Sequence, residues 1–121
     1  MPSALVIEEN RTTSESLCQL LGLLDITARP AYTQRAAFLT LKEMLPDFIF
    51  LSIHPLEAGF LEVLDFLKGE ANLEHIPVIL LATAEQKEIV QRMSNTGVLE
   101  VIQRPASLEA VEKALRKAGL S

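Results

Sequence analysis

One cysteine, Cys18, stands in 121 residues, so the chain can close no internal disulfide and build no cysteine-rich metal site. No apolar run approaches the roughly 18 residues that a membrane-spanning helix needs, and no signal-peptide pattern opens the chain. Basic residues are also few. Against 16 Asp and Glu stand 11 Lys and Arg, for a net charge of −5, and the cations are scattered rather than clustered. That balance argues against a nucleic-acid footprint. No linker, repeat or low-complexity stretch divides the sequence, which places residues 1–121 in one domain. Apolar residues make up 49% and charged residues 22%, the composition of a well-packed soluble domain. A globule of this length buries roughly two-thirds of its unfolded surface and needs no staples. The expectation is a cytoplasmic domain, of a kind that serves as one module of a longer protein.

What is present is an alternation of short apolar runs with amphipathic segments. Ala4 to Ile7, "ALVI", is the first run, broken by "EENRTT". Thr12 followed by Glu15 has capping-box spacing and predicts a helix start there. Leu17, Leu20, Leu21 and Leu24 then fall at i, i+3, i+4 and i+7, with Cys18 beside the stripe as a small buried apolar residue. "DITARPA" reads as a weak strand. Its Pro30 cannot donate to a ladder and so belongs at a sheet edge. A second helix is expected from about Thr33 to Met44, facing inward through Ala37, Leu41 and Met44. "FIFLSI" (48–53) and "IPVILLA" (76–82) are continuously apolar, as strands covered on both faces must be. Between them Phe60, Val63, Leu64 and Leu67 make a third helical stripe. A fourth helix is expected over Glu85–Ser94, with Ile89, Val90 and Met93 inward, and a fifth strand over Val98–Ile102. Ser107 can cap a last helix with the stripe Leu108, Val111, Leu115 and Ala118, stopped by Gly119.

Five strand–helix units with short connections imply a parallel sheet with helices on both faces. With the most apolar strands central and the Pro-bearing one at an edge, the pattern fits an α/β, flavodoxin-like (βα)5 three-layer sandwich in the order 2-1-3-4-5. The crevice of such a fold lies beyond the carboxyl ends of its strands. Those ends carry Glu8 and Glu9, then Ser52, then Ala82 and Thr83, then Arg104 followed by Pro105.

End to end, the chain resembles the receiver domain of two-component response regulators. The matching pieces are "LVIEEN", "PDFIFLSI", "IPVILLAT" and "VIQRPAS". In that family an aspartate ending strand 3 accepts a phosphoryl group and shares a magnesium ion with the acidic pair after strand 1. A Thr or Ser ending strand 4 and a Lys ending strand 5 bind the phosphoryl oxygens, and an aromatic on strand 5 follows the switch. Carried over by position, the acidic pair is Glu8 and Glu9, but the acceptor is Ser52. The hydroxyl position is Ala82, the Lys position Arg104 and the aromatic position Val101. Pro55 also arrives one residue early in the loop after Ser52.

Each departure has a chemical consequence. An acyl phosphate requires a carboxylate, whereas a serine needs a positioned base. His54, in the loop, and His75, before strand 4, read as solvated residues rather than as that base. Magnesium prefers carboxylate oxygens and waters, so a third carboxylate lost weakens its site. Arg104 brings a permanent cation that can pair bidentately with Glu8 or Glu9 in the place of the metal. Thr83 stands one residue late to replace the missing hydroxyl and would need a bulge to do so.

The expectation is a degenerate, or pseudo-, receiver: no enzyme, with magnesium binding weak or absent and no cofactor. It would be a phosphorylation-independent protein–protein interaction module in bacterial signalling. The resemblance places docking or self-association on the face of the fourth helix, fifth strand and last helix. Its candidate rim charges are Lys87, Arg92, Glu109, Glu112, Lys113 and Arg116. Two alternatives stay open. One is an active receiver with an unorthodox acceptor, at Ser52, His54 or a glutamate. The other is a small-ligand binder using the donors of Arg11, Thr12, Thr13 and Ser14 near a helix N-terminus.

Overall fold

The computed structural model describes residues 2–53, 59–86 and 100–119, and for Gly59, Phe60 and Leu61 the backbone alone. Its strands are β1 (Ser3–Ile7), β2 (Thr27–Ala31), β3 (Phe48–Ser52), β4 (Val78–Ala82) and β5 (Glu100–Gln103). Its helices are α1 (Arg11–Leu23), α2 (Gln34–Glu43), α3 (Gly59–Gly69) and, last in the chain, α4 (Leu108–Lys117). The five strands form one sheet in the order β2-β1-β3-β4-β5, and every neighbouring pair is parallel. This is the flavodoxin-like order expected from the alternation. Pro30 lies on the edge strand β2, opposite Val6, where its missing N–H costs no ladder bond. Among the described residues no helix is long and apolar enough to cross a membrane.

The period of two along each strand divides the core into two layers. Leu5, Ile7, Ile49, Leu51, Val78 and Leu80 pack with α2 and α3 through Ala37, Leu41, Val63, Leu64 and Leu67. Ala4, Val6, Phe48, Phe50, Ile79 and Leu81 pack with α1 and α4 through Leu17, Leu21, Val111, Ala114 and Leu115. The side chains of β1, β3 and β4 are thus buried on both faces, which is why these strands read as unbroken apolar runs. Full burial of one such Leu, Ile or Phe contributes roughly 1.5–3 kcal/mol, so these layers supply most of the drive to fold.

Local expectations are met unevenly. Ser107 caps α4 as expected, accepting from the Ala110 N–H, while Thr33, expected as the first residue of the second helix, stands just before α2 and caps it by accepting from the Ala36 N–H. Gly119 ends the last helix at φ 95°. The cap of α1 is a correction. Asn10, not Thr12, accepts from the Thr13 N–H at 2.9 Å, and the helix begins at Arg11. An asparagine amide caps as well as a threonine hydroxyl, and Asn10 lies nearer the end of β1. Strand β4 starts at Val78 rather than Ile76, because Pro77 cannot donate; its carbonyl still accepts from Ile49. Leu108 was expected inward but is 37% exposed, at the first position of α4. Of the fourth expected helix, residues 84–86 are helical; Lys87 to Ser94, with Ile89, Val90 and Met93, lie outside the described residues.

Candidate functional site

The carboxyl ends of β1, β2, β3 and β5 converge on a cleft of about 230 Å³. Its walls include Glu8, Glu9, Ser52, Ile53 and Arg104, with Tyr32 and Thr33 from the end of β2. Parallel pairing brings these together, because each strand delivers its last residues to the same rim.

Glu8 is the centre of the cleft. It follows Ile7 directly, and its backbone N–H continues the ladder by donating to the Ala31 carbonyl at 3.0 Å. Its side chain is 3% exposed. A carboxylate so placed must find donors. Oε1 accepts from the Ser52 hydroxyl at 2.8 Å and from Arg104 Nη1 at 3.2 Å, while Oε2 accepts from the Asn10 N–H at 3.0 Å. Asn10 thus serves twice. Its backbone satisfies Glu8 and its side chain caps α1.

Arg104 is 21% exposed. It pairs with Glu8, but through one nitrogen rather than two. The second prong, Nη2, donates to the Ile53 carbonyl at 3.0 Å. The Arg104 backbone N–H donates to the Ala82 carbonyl at 2.7 Å, and the peptide bond to Pro105 is cis. Ala82 itself is fully buried, so a methyl group seals the position where the resemblance implies a hydroxyl. Thr83 does not replace it. Its hydroxyl accepts from the Gln86 N–H at 3.3 Å, and Gln86 Oε1 accepts from the Thr83 N–H at 2.9 Å. That reciprocal pair is a capping box, which commits Thr83 to starting a helix. Val101 is half-buried against the α2–α3 layer, and Pro105 is exposed.

Magnesium, which the resemblance implies, does not fit this donor set. Both Glu8 oxygens already accept hydrogen bonds, and a guanidinium nitrogen lies 3.2 Å from the oxygen a metal would need. Among the described residues no group of three or more acidic, histidine or cysteine side chains is arranged to hold a metal ion.

The remaining candidates separate. Glu9 is exposed at the cleft's mouth. His75 is exposed at the opposite rim of the sheet, whereas His54 and Pro55 lie outside the described residues. Of the donors proposed at the start of α1, the N–H groups of Thr13 and Ser14 are taken by Asn10, and the Ser14 side chain is buried. The Arg11 guanidinium stacks 4.2 Å above the Tyr32 ring. On the expected docking face, Glu109, Lys113 and Arg116 are exposed and Glu112 half-buried, while Lys87 and Arg92 lie outside the described residues. Sequence reasoning missed the Lys117–Glu100 pair, 3.3 Å across α4 and β5, and the roles of Asn10 and the Ile53 carbonyl. Asn10 was findable from its place before the first helical residue. A backbone carbonyl leaves no signal in residue types.

A five-stranded parallel sheet in this order, with an acidic pair at the rim, is the architecture of receiver-type domains. Solved structures agree. The chain superposes on the signal receiver domain of a signal transduction histidine kinase from Syntrophus aciditrophicus with a TM-score of 0.84 and 24% identity, covering 98% of this chain and 91% of that one. Against the chemotaxis response regulator CheY4 of Vibrio cholerae the TM-score is 0.84 at 18% identity, with 98% of both chains covered. In sequence, the polar-differentiation response regulator DivK of Brucella ovis is 26% identical over 106 residues, covering 88% of this chain and 86% of that protein. The Brucella anthropi DivK matches over the same length at the same identity. No family model matches the chain. The protein is thus receiver-like in fold and similar in sequence to response regulators.

Proposed function

We propose that this chain is a receiver-like signalling domain that works without phosphoryl transfer, as a protein–protein interaction module. The observation that carries this reading is the state of Glu8. The carboxylate that would have to help hold a metal is buried, and its oxygens accept from Ser52, Asn10 and Arg104. The residue at the acceptor position is the serine of that same set. Likeness to response regulators supports a role in bacterial signalling with protein partners, and no catalytic residue is assigned. Docking or self-association would use β5 and α4, whose outer surface carries Glu109, Lys113, Arg116 and the Lys117–Glu100 pair.

One observation favours a second reading. Ser52 Oγ lies 2.8 Å from Glu8 Oε1, within reach of a general base, as an activated hydroxyl nucleophile would need. The same oxygen also accepts from a guanidinium, which favours a structural hydrogen bond over proton transfer. Incubation with acetyl phosphate and magnesium, followed by intact mass measurement, separates the two. The leading reading expects an unchanged mass. An added phosphoryl group mapped to Ser52 would establish the second reading in its place.

A further inference from the structure

Among the described residues Arg104 makes three hydrogen bonds, and each ends on a different strand or its exit. Nη1 reaches Glu8 beyond β1 at 3.2 Å, Nη2 reaches the Ile53 carbonyl beyond β3 at 3.0 Å, and the backbone N–H reaches Ala82 in β4 at 2.7 Å. The two side-chain contacts are prongs of one rigid, planar fork. A carboxylate oxygen and a carbonyl oxygen held against neighbouring nitrogens make a receptor of that shape. A divalent ion asks instead for several oxygens around a single point. Such an ion could reach Oε1 only by displacing a cation that the chain carries itself, at the high effective concentration of an intramolecular group.

We propose that the rim of the sheet contains a guanidinium-selective cation site, built from Glu8 Oε1 and the Ile53 carbonyl and filled in cis by Arg104. The inference rests on the phosphorylation-independent reading and adds what holds the domain's state. The occupant is part of the chain, so the exits of β1 and β3 keep one arrangement with no diffusible ligand.

Arg104→Ala empties the fork and leaves both acceptors in place. The probe is methylguanidinium chloride, with methylammonium chloride and sodium chloride at equal ionic strength as controls. Thermal unfolding and amide NMR are the readouts. The variant should melt below the wild type and regain several degrees, saturably, in methylguanidinium alone. The Asn10 and Ser52 amide signals should move back toward their wild-type positions, and the wild type should gain nothing. Should Arg104→Ala fail to fold, Arg104→Lys carries the test. A point cation cannot fork, so the carbonyl carbon signal of Ile53 should shift. Equal gains from all three salts, no gain from methylguanidinium, or an unmoved Ile53 carbonyl signal in Arg104→Lys would each overturn the site. Phosphate uptake by the wild type would overturn the functional reading instead, through a different experiment.

Discussion

Both rims of the sheet carry a carboxylate that accepts from a serine hydroxyl and a backbone N–H, and they differ in burial. At the amino-end rim, Asp47 accepts from the Ser3 N–H at 2.8 Å and more weakly from its hydroxyl at 3.5 Å, and it is exposed. At the carboxyl-end rim, Glu8 accepts from the Asn10 N–H and the Ser52 hydroxyl, and it is 3% exposed. Water can complete the shell of Asp47. Glu8 needs a cation instead, and Arg104 is that cation. The comparison teaches that burial, more than residue type, decides whether a carboxylate must be neutralised from within the chain.

The largest expected effect follows from removing the cation. Arg104→Ala leaves a buried carboxylate uncompensated and should cost about 2–4 kcal/mol by chemical denaturation, discounted somewhat because the guanidinium is partly exposed. A loss under about 0.5 kcal/mol would mean that water serves Glu8 as well as it serves Asp47. Next, Ser52→Ala removes one donor and should cost about 1–2 kcal/mol. If Ser52→Ala proved more damaging than Arg104→Ala, the order of the two partners would be reversed. Smaller still, Asp47→Ala should cost about 0.5 kcal/mol, as an exposed interaction does.

The smallest effect concerns Cys18. Burial pushes this thiol above its usual 9.0, and the Glu15 carboxylate adds to the rise. The Ser14 hydroxyl, buried without a well-formed hydrogen bond among the described residues, lies close enough to oppose it. Since the folded value is raised, the native state keeps a proton that the unfolded chain has lost. The contribution of Cys18 to stability is therefore whole below about pH 9 and declines as pH climbs through the raised value. Denaturation series above pH 9 should show a slightly steeper alkaline loss for the wild type than for Cys18→Ala. Coincident slopes would place Cys18 among fully solvated thiols.

The two rims also show what could be foreseen from sequence. Sheet order was legible because burial on both faces writes itself as unbroken apolar runs, and Pro30 marks an edge by its missing donor. The pairing of Glu8 with Arg104 was expected from their places at the same rim of the sheet, beyond the ends of β1 and β5. Its geometry was not, because the second prong goes to a carbonyl, which every residue has. Thr83 was weighed as a substitute hydroxyl. Its capping partner Gln86, three residues on, could have been read from the T-x-x-Q spacing. Leu108 misled because helical periodicity assigns a face but does not say whether a residue in the first turn is covered.

The central claim is that the oxygens of Glu8 are taken in cis by Ser52, Asn10 and Arg104. Magnesium titration of the wild-type protein, followed by amide NMR at Asn10, Ser52 and Arg104, tests it most directly. The account predicts no saturable shift at millimolar magnesium, with or without a phosphoryl mimic. Saturable shifts at those amides, with the Arg104 guanidinium released from Glu8, would contradict it.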